Sequence, residues 1–181
     1  MCIRDSTEMQ RLLQSYSDDD GSHWEMPELS SLLSSRSEVM VLRIPSTGDL
    51  LCVWNQAAAE EIRSGFYRSR MSSGISKDSG KTWEHFRTLV MSLGMKRRER
   101  IEPSEPPARL RSGGAVPRPE LIPEEGFRSV RAPRVSIIDG KVFFVWDDRL
   151  YGRDPDSRNG WKNIYYKQKL RVIPLSWFYA R

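Results

Sequence analysis

Several arginine side chains in this sequence are placed where they could bind an anion. Arg68 and Arg70 are two residues apart in a predicted strand, so their side chains share one face. Asp148 and Arg149 closely follow Trp146, at the predicted end of another strand, where either could face a ligand. A guanidinium group holds a carboxylate through two parallel hydrogen bonds, so the chemistry of such arginines is recognition of an acidic group. The alternative is that they form ion pairs within the protein.

Other kinds of chemistry are disfavoured by the residue types present. The two histidines, His23 and His85, are too far apart in sequence for a metal-site pattern, and we predict neither a metal nor a cofactor. The net charge of +5 includes a basic run at 96–100 that invites a nucleic-acid interpretation. However, no aromatic residue that could stack on a base lies between Thr88 and Pro123. We therefore predict a solvated charged loop without a nucleic-acid partner.

Two eight-residue segments share the pattern Ser-x-Asp-x-Gly-x-Thr-Trp and predict tight turns between strands. Residues 76–83 match it throughout, and residues 17–24 match it with histidine in place of threonine. The Asp carboxylate can accept hydrogen bonds from N–H groups of its own loop, and the Gly can adopt a positive φ. The Trp then begins the next strand with a large apolar surface. We predict structural roles for Ser17, Asp19, Gly21, Trp24, Ser76, Asp78, Gly80, Thr82 and Trp83.

A second repeat predicts strands that are buried on both faces. Residues 48–55 can be laid over residues 140–147, with Gly, Val, Trp and an Asx residue in register. Each segment begins at a Gly-containing turn and continues into β-favouring apolar residues that are too continuous for a strand with one wet face. Repeats of this kind are typical of sheets that pack face to face with their neighbours.

The first half of the chain predicts one complete four-stranded unit. Residues 8–33 are predicted to end the preceding unit, around the first turn segment. Residues 36–91 are predicted to form the complete unit, with a short helix near 57–63. Its strands are predicted at 38–44, 49–54, 66–75 and 84–91.

The second half predicts an insertion and then a last unit. Residues 92–126 contain six prolines that interrupt every candidate element, so an extended basic insertion is predicted there. Residues 127–181 are predicted to form the last unit. Its strands are predicted at 130–138, 141–147 and 163–168, with a docked closing strand at 171–179.

The beginning of the sequence and its cysteines carry little functional information. Residues 1–6 resemble the translation of a sequencing-library adapter, a recurrent artefact in metagenomic reading frames, and are left out of the fold prediction. Without them Cys52 is the remaining cysteine, so no disulfide is predicted. No run of about twenty apolar residues is present, and no membrane span is predicted.

With both repeats in view, the chain resembles the sialidase (neuraminidase) family of BNR/Asp-box repeat proteins, whose Asp box is the pattern of the two turn segments. The resemblance covers most of residues 14–179. It implies an all-β fold, a partial β-propeller of four-stranded antiparallel blades from a ring of about six. About two to three blades would lie in this C-terminal fragment. Family analogy also implies a secreted or periplasmic protein.

The family resemblance implies a set of substrate-binding residues. A sialidase of this kind holds the carboxylate of sialic acid with three arginines. It attacks with a tyrosine that a glutamate activates, and an aspartate serves as acid and base. Arg43-Ile44-Pro45 looks like the family motif for the first arginine, although here an Asp box precedes it. The substrate-binding candidates are Arg43, Arg68, Arg70, Arg131 and Arg149.

No catalytic residue can be assigned from the sequence. The tyrosines to consider as nucleophile also suit packing positions, and the glutamates to consider as activators lie in the proline-rich insertion. The tyrosines are Tyr67, Tyr151, Tyr165 and Tyr166, and the glutamates are Glu102 and Glu105.

Three functions remain open from the sequence. The first is an exo-α-sialidase that hydrolyses terminal sialic acid or a related acidic sugar from glycans. The second is a non-catalytic Asp-box propeller that binds a glycan or a protein. The third is a glycosidase that cleaves a different sugar through paired carboxylates. The fragment alone is expected to be inactive, because an incomplete ring leaves open sheet edges and half a pocket.

Overall fold

The protein is built of antiparallel β-sheets. The computed structural model describes residues 9–35, 37–104, 123–157 and 160–180, together with the backbone of residues 2–4. Their strands form three sheets, here called A, B and C in chain order. In each sheet, strands that follow one another along the chain are hydrogen-bonded neighbours. The all-β prediction is confirmed.

The bounds of the elements agree with most of the predicted ones. Sheet B has the four predicted strands and the short helix, but its third strand begins at Arg70 because residues 67–68 form a turn. Residues 2–4, which were left out of the fold prediction, pair with Leu13–Ser15 in sheet A. Sheet A comprises β1 (Cys2–Arg4), β2 (Arg11–Ser15) and β3 (Glu28–Leu33). Sheet B comprises β4 (Val39–Arg43), β5 (Leu50–Trp54), β6 (Arg70–Ser76) and β7 (Glu84–Met91), with α1 (Ala59–Arg63) between β5 and β6. Sheet C comprises β8 (Phe127–Ile138), β9 (Lys141–Arg153) and β10 (Trp161–Pro174), and α2 (Leu175–Tyr179) follows it.

Sheet B is packed between the other two sheets. Every residue of β5 is buried, and alternate side chains point to opposite neighbours. Leu51 and Val53 join a hydrophobic cluster with residues of sheet C, whereas Cys52 and Trp54 join a cluster with residues of sheet A. The prediction of a strand buried on both faces is therefore confirmed for β5.

The same prediction is wrong for β9. Val142, Phe144 and Trp146 are buried against sheet B, but Phe143 and Val145 on the other face are only partly buried. No sheet among the described residues packs on that face. The burial of the second face depends on a neighbouring sheet, which the pattern of the strand itself cannot supply.

The last sheet differs from its prediction at the C-terminal end. Two strands were predicted at 163–168 and 171–179, but β10 runs without interruption as far as Pro174, because no turn residue separates Gln168 from Arg171. Pro174 then precedes α2, so the predicted closing strand is strand only as far as Pro174, and residues 175–179 are helical instead. The predicted docking is nevertheless observed, since Phe178 of α2 is completely buried. No helix in the described ranges is long and apolar enough to span a membrane.

The described part of the insertion, residues 92–104, lies along sheet B instead of extending into solvent. Gln56 Nε2 donates to Glu99 O at 3.0 Å, and Ile101 N donates to Gln56 Oε1 at 2.9 Å. Thr88 Oγ1 donates to Arg98 O at 2.9 Å. The basic run is a loop, as predicted, and the side chains of Lys96, Arg97 and Arg100 are exposed. What was not predicted is that its main chain is held by the side chains of Gln56 and Thr88. Glu105 lies outside the described residues.

The second Asp-box segment has the contacts that its sequence predicts. Thr82 N donates to Asp78 Oδ1 at 2.8 Å, and Thr82 Oγ1 donates to Asp78 Oδ2 at 2.6 Å. Gly80 N donates to Ser76 Oγ at 2.7 Å, and Gly80 has a φ of 93°. Trp83 is buried in the cluster between sheets A and B. The turn thus fixes the start of β7 and places an indole in the core.

The first Asp-box segment repeats the turn but not the packing. His23 N donates to Asp19 Oδ1 at 2.8 Å, and Gly21 N donates to Ser17 Oγ at 2.9 Å. Trp24, however, is 50 % exposed and donates its indole N–H to Gly21 O. The predicted packing of Trp24 against a neighbouring sheet is wrong, because no described sheet lies on that side of sheet A.

Acidification is expected to weaken the second Asp-box turn. Hydrogen bonds from the Thr82 hydroxyl and then the Thr82 N–H lower the pKa of Asp78 from 3.8 to about 2. The folded state therefore favours the carboxylate, and this stabilisation is complete above the unfolded pKa and lost as the pH falls through the folded one. Asp78→Asn should flatten the dependence of the unfolding free energy on pH between these two values, measured by urea unfolding. Asp18→Asn, at an exposed carboxylate, should leave that dependence unchanged; an equal effect of both would contradict the assignment.

Candidate functional site

The two ends of sheet B carry different loop segments. The second Asp-box segment follows β6 at one end, where Arg43, Leu50 and Ser76 are aligned across three strands. Val39, Trp54 and Ser72 are aligned near the other end. The segments just before β4 and β6 and just after β5 therefore meet at the end opposite the Asp-box turn. The candidate site lies there.

Three of the five predicted arginines lie at this end, where the charges of Arg68 and Arg149 both act on the pKa of Arg131; we call Arg68, Arg131 and Arg149 the arginine cluster. Arg131 is half-buried. Its pKa is lowered by burial and then by the positive charges of Arg68 and Arg149, while Tyr151 and Glu38 act in the opposite direction. Closely spaced like charges in a partly buried place are unfavourable unless an anion neutralises them. The cluster is therefore suited to binding an acidic group.

The backbone of sheet C positions the cluster. Val130 N donates to Arg68 O at 2.6 Å, which ties the segment before β6 to β8. Arg131 Nε donates to Ser129 Oγ at 2.8 Å, and Ser129 lies opposite Arg149 on β9. The guanidinium of Arg149 lies 4.8 Å from the centre of the Tyr166 ring, a cation–π contact.

Two irregularities of β8 contribute to this geometry. A β-bulge between Arg131 and Arg134 places one extra residue on β8, where Pro133 needs no ladder hydrogen bond. Gly126, just before β8, has a φ of 93°, and a Cβ there would lie 2.1 Å from Tyr151 O. Glycine is thus required for the chain to enter β8 beside Tyr151.

The other two predicted arginines do not join the cluster. The side chain of Arg70 is completely buried and binds both carboxylate oxygens of Glu61, at 2.7 and 2.8 Å. Its second terminal nitrogen also donates to Lys96 O at 2.7 Å. Arg43 lies at the Asp-box end of β4, where it donates to Gly48 O at 2.6 Å. Arg70 therefore serves as a structural ion-pair partner, and Arg43 is remote from the cluster.

The carboxylates considered from the sequence have structural partners. Asp148 was expected at a strand end, but β9 continues to Arg153 and buries Asp148 completely. Lys169 Nζ lies 2.5 Å from it, and the Tyr165 hydroxyl lies 3.4 Å away. Glu102 forms an exposed ion pair with Arg100 at 2.6 Å.

Among the four tyrosines considered as nucleophile, Tyr151 is the one that raises the pKa of Arg131. Its ring is stacked on Phe127, with the ring centres 5.0 Å apart. The Tyr166 hydroxyl donates to Asp147, and Tyr67 is half-buried in the turn before Arg68. No group of three or more acidic, histidine or cysteine side chains within the described ranges is placed to hold a metal ion.

Two residues at this end were missed by the sequence analysis. Glu38, just before β4, is exposed, and its charge raises the pKa of Arg131. Asn55, just after β5, is completely buried and links sheets B and C. A signal for Asn55 was present, since it aligns with Asp147 in the internal repeat. Glu38 had no distinguishing pattern.

The successive face-to-face antiparallel sheets, with Asp-box turns at one end and the arginine cluster at the other, define a partial β-propeller. Residues 1–112 match the BNR repeat-like domain family, and the chain belongs to that family. No curated protein sequence matches the chain.

One solved structure is similar to this chain over most of its length. It is an α-L-arabinofuranosidase from Fusarium graminearum, a mutant in complex with an iminosugar inhibitor. The sequences are 15 % identical, the TM-score is 0.43, and the match covers 91 % of this chain and 40 % of the arabinofuranosidase. The chain thus spans less than half the length of that structure.

Proposed function

We propose that this protein is a glycan-recognising propeller segment whose arginine cluster binds the carboxylate of a terminal acidic sugar such as sialic acid. The observation that carries the proposal is the convergence of Arg68, Arg131 and Arg149 at the end of the sheets opposite the Asp-box turns. The charges of Arg68 and Arg149 lower the pKa of Arg131, and the carboxylate of Glu38 raises it by a smaller amount. The positive excess favours an anionic ligand, and guanidinium groups match a carboxylate in geometry.

Hydrolysis of a sialoside is the second candidate function. Tyr151 and Glu38 both raise the pKa of Arg131, so a phenol and a carboxylate lie in the surroundings of the cluster. A phenol is a suitable nucleophile beside a substrate carboxylate, since it carries no charge before attack. However, the stacking of Tyr151 on Phe127 gives this ring a packing role. The geometry therefore supports binding more strongly than hydrolysis.

Loss of one cluster arginine is expected to weaken binding of an acidic sugar. For Arg131→Met, removal of a charge-assisted hydrogen bond of about 1.5–3 kcal/mol predicts a roughly 10- to 100-fold rise in the Kd of 3′-sialyllactose. Isothermal titration calorimetry of the full chain would measure it. Arg43→Met removes the same charge at the opposite end and should change the Kd less than about twofold, within the usual scatter.

Lactose, which lacks the carboxylate, serves as the ligand control. Equal affinity of the wild-type chain for lactose and 3′-sialyllactose, or equal weakening by the two arginine variants, would refute the carboxylate site. Release of a fluorophore from a sialoside by the wild-type chain would favour the hydrolytic candidate. Binding without release would favour the non-catalytic one.

A further inference from the structure

Asn55 joins two sheets through a single amide group. Its side chain is fully buried just after β5. Nδ2 donates to Arg70 O at 2.9 Å in sheet B and to Val130 O at 3.0 Å in sheet C. The main-chain oxygen of Asn55 also accepts a hydrogen bond from Ser35 N at 3.1 Å, on the side of sheet A. One residue therefore fixes the spacing of neighbouring sheets at the end that carries the arginine cluster.

The two carbonyl groups bound by Asn55 are next to the cluster in sequence. Val130 directly precedes Arg131, and Arg70 is two residues after Arg68. Val130 N in turn donates to Arg68 O at 2.6 Å. The segments bearing Arg68 and Arg131 are thus linked directly once and through Asn55 a second time. Two links fix both the separation and the relative orientation of these segments.

The chemistry of the position requires an amide. Both partners are carbonyl oxygens, so the side chain must offer two N–H donors from one short stem, which asparagine does and aspartate does not. Asp147, the aligned residue of the repeat, has donors as partners instead: Arg134 Nη2 at 3.0 Å and the Tyr166 hydroxyl at 2.9 Å. Asn and Asp at the repeated position therefore match opposite sets of partners.

We infer that Asn55 is a positioning residue that sets the separation of Arg68 and Arg131, and with it the geometry of the carboxylate site. The ligand part of this inference rests on the proposed function, whereas the placement of the two arginines does not. Asn55 itself is buried and contacts main chain, so it acts through the arginines and not on the sugar.

The neighbouring residue Gln56 provides a matched control. It is also a buried amide, but it binds Ser72 Oγ, Glu99 O and Ile101 N, away from the cluster. Asn55→Leu and Gln56→Leu each remove one buried amide and should both lower the melting temperature. Only Asn55→Leu should alter the site. Asn55→Ser, which keeps one donor, is the milder variant and should give an intermediate change if Asn55→Leu does not fold.

Two measurements below the melting temperature separate positioning from stability. The first is the NMR signal of the Arg131 Nε–H group, which donates to Ser129 Oγ; it should shift in the Asn55 variants and stay in place in Gln56→Leu. The second is the Kd for 3′-sialyllactose, expected to rise at least about tenfold in Asn55→Leu and less than twofold in Gln56→Leu.

The outcomes distinguish this inference from the proposed function. An unchanged Arg131 signal in the Asn55 variants, or the same shift in Gln56→Leu, would overturn the positioning role. If the wild-type chain does not bind 3′-sialyllactose but the Arg131 signal moves in the Asn55 variants alone, the positioning role stands and the proposed ligand is wrong.

Discussion

Replacement of Glu61 by alanine is expected to lower the free energy of unfolding by about 3–5 kcal/mol, because it leaves a buried guanidinium without its counter-ion. The Arg70 side chain has no exposed surface, and Glu61 is 11 % exposed, so solvent can replace little of the lost interaction. Glu61 also accepts a hydrogen bond from Ala58 N at the start of α1. Urea unfolding monitored by tryptophan fluorescence would measure the change.

Glu60 supplies the control for this experiment. It is adjacent on α1 and pairs with Arg98, but the two side chains are 60 % and 39 % exposed. Glu60→Ala should therefore cost less than about 1 kcal/mol, as exposed ion pairs do. The double variant Glu61→Gln/Arg70→Met should be more stable than Glu61→Ala, since it leaves no unpaired charge. Equal losses for Glu60→Ala and Glu61→Ala would show that burial of the ion pair does not matter.

Replacement of Phe178 by alanine is expected to lower the unfolding free energy by about 3–5 kcal/mol, as large-to-small changes of buried aromatic residues do. Phe178 is completely buried in the cluster between sheets B and C. Tyr179 adds a link from α2 to the turn between β4 and β5, because its hydroxyl donates to Asp49 Oδ2 at 2.7 Å. Removal of the Phe178 ring would leave a cavity at the point where α2 contacts both sheets.

Ser176→Ala, at an exposed position of the same helix, is the control and should change stability by less than about 0.5 kcal/mol. Thermal and urea unfolding would give both values. If the two variants lose the same small amount, α2 does not pack on the sheets in solution.

The features that could be predicted from the sequence are the ones that local chemistry determines. Asp78 and Gly80 form their turn through contacts within eight residues, so the pattern was sufficient to predict it. The continuous apolar run of β5 likewise predicted a strand that is buried on both faces. The exposure of Trp24 was not, because the same kind of turn ends in a buried or an exposed indole according to the sheet beside it.

The candidate site was only partly predictable. The spacing of Arg68 and Arg70 suggested a shared face, but Arg70 is the start of β6 and turns into the core because Glu61 of α1 lies there. Which arginines meet depends on the order of strands in sheets B and C and on the bulge beside Arg131. Neither the sheet order nor the bulge leaves a local pattern that a single sequence reveals.

The outer position of β10 has a consequence for how copies of this chain meet. Among the described strands, β10 is hydrogen-bonded to β9 alone, so the backbone N–H and C=O groups along its other edge could pair with another extended chain. Lys162, Lys167 and Arg171 are exposed along that edge. When two such strands approach, these cations repel each other, which opposes pairing. The exposed apolar side chains of the same strand, Ile164, Tyr166, Leu170 and Val172, favour it, so the longest strand of the molecule carries opposing influences on self-association.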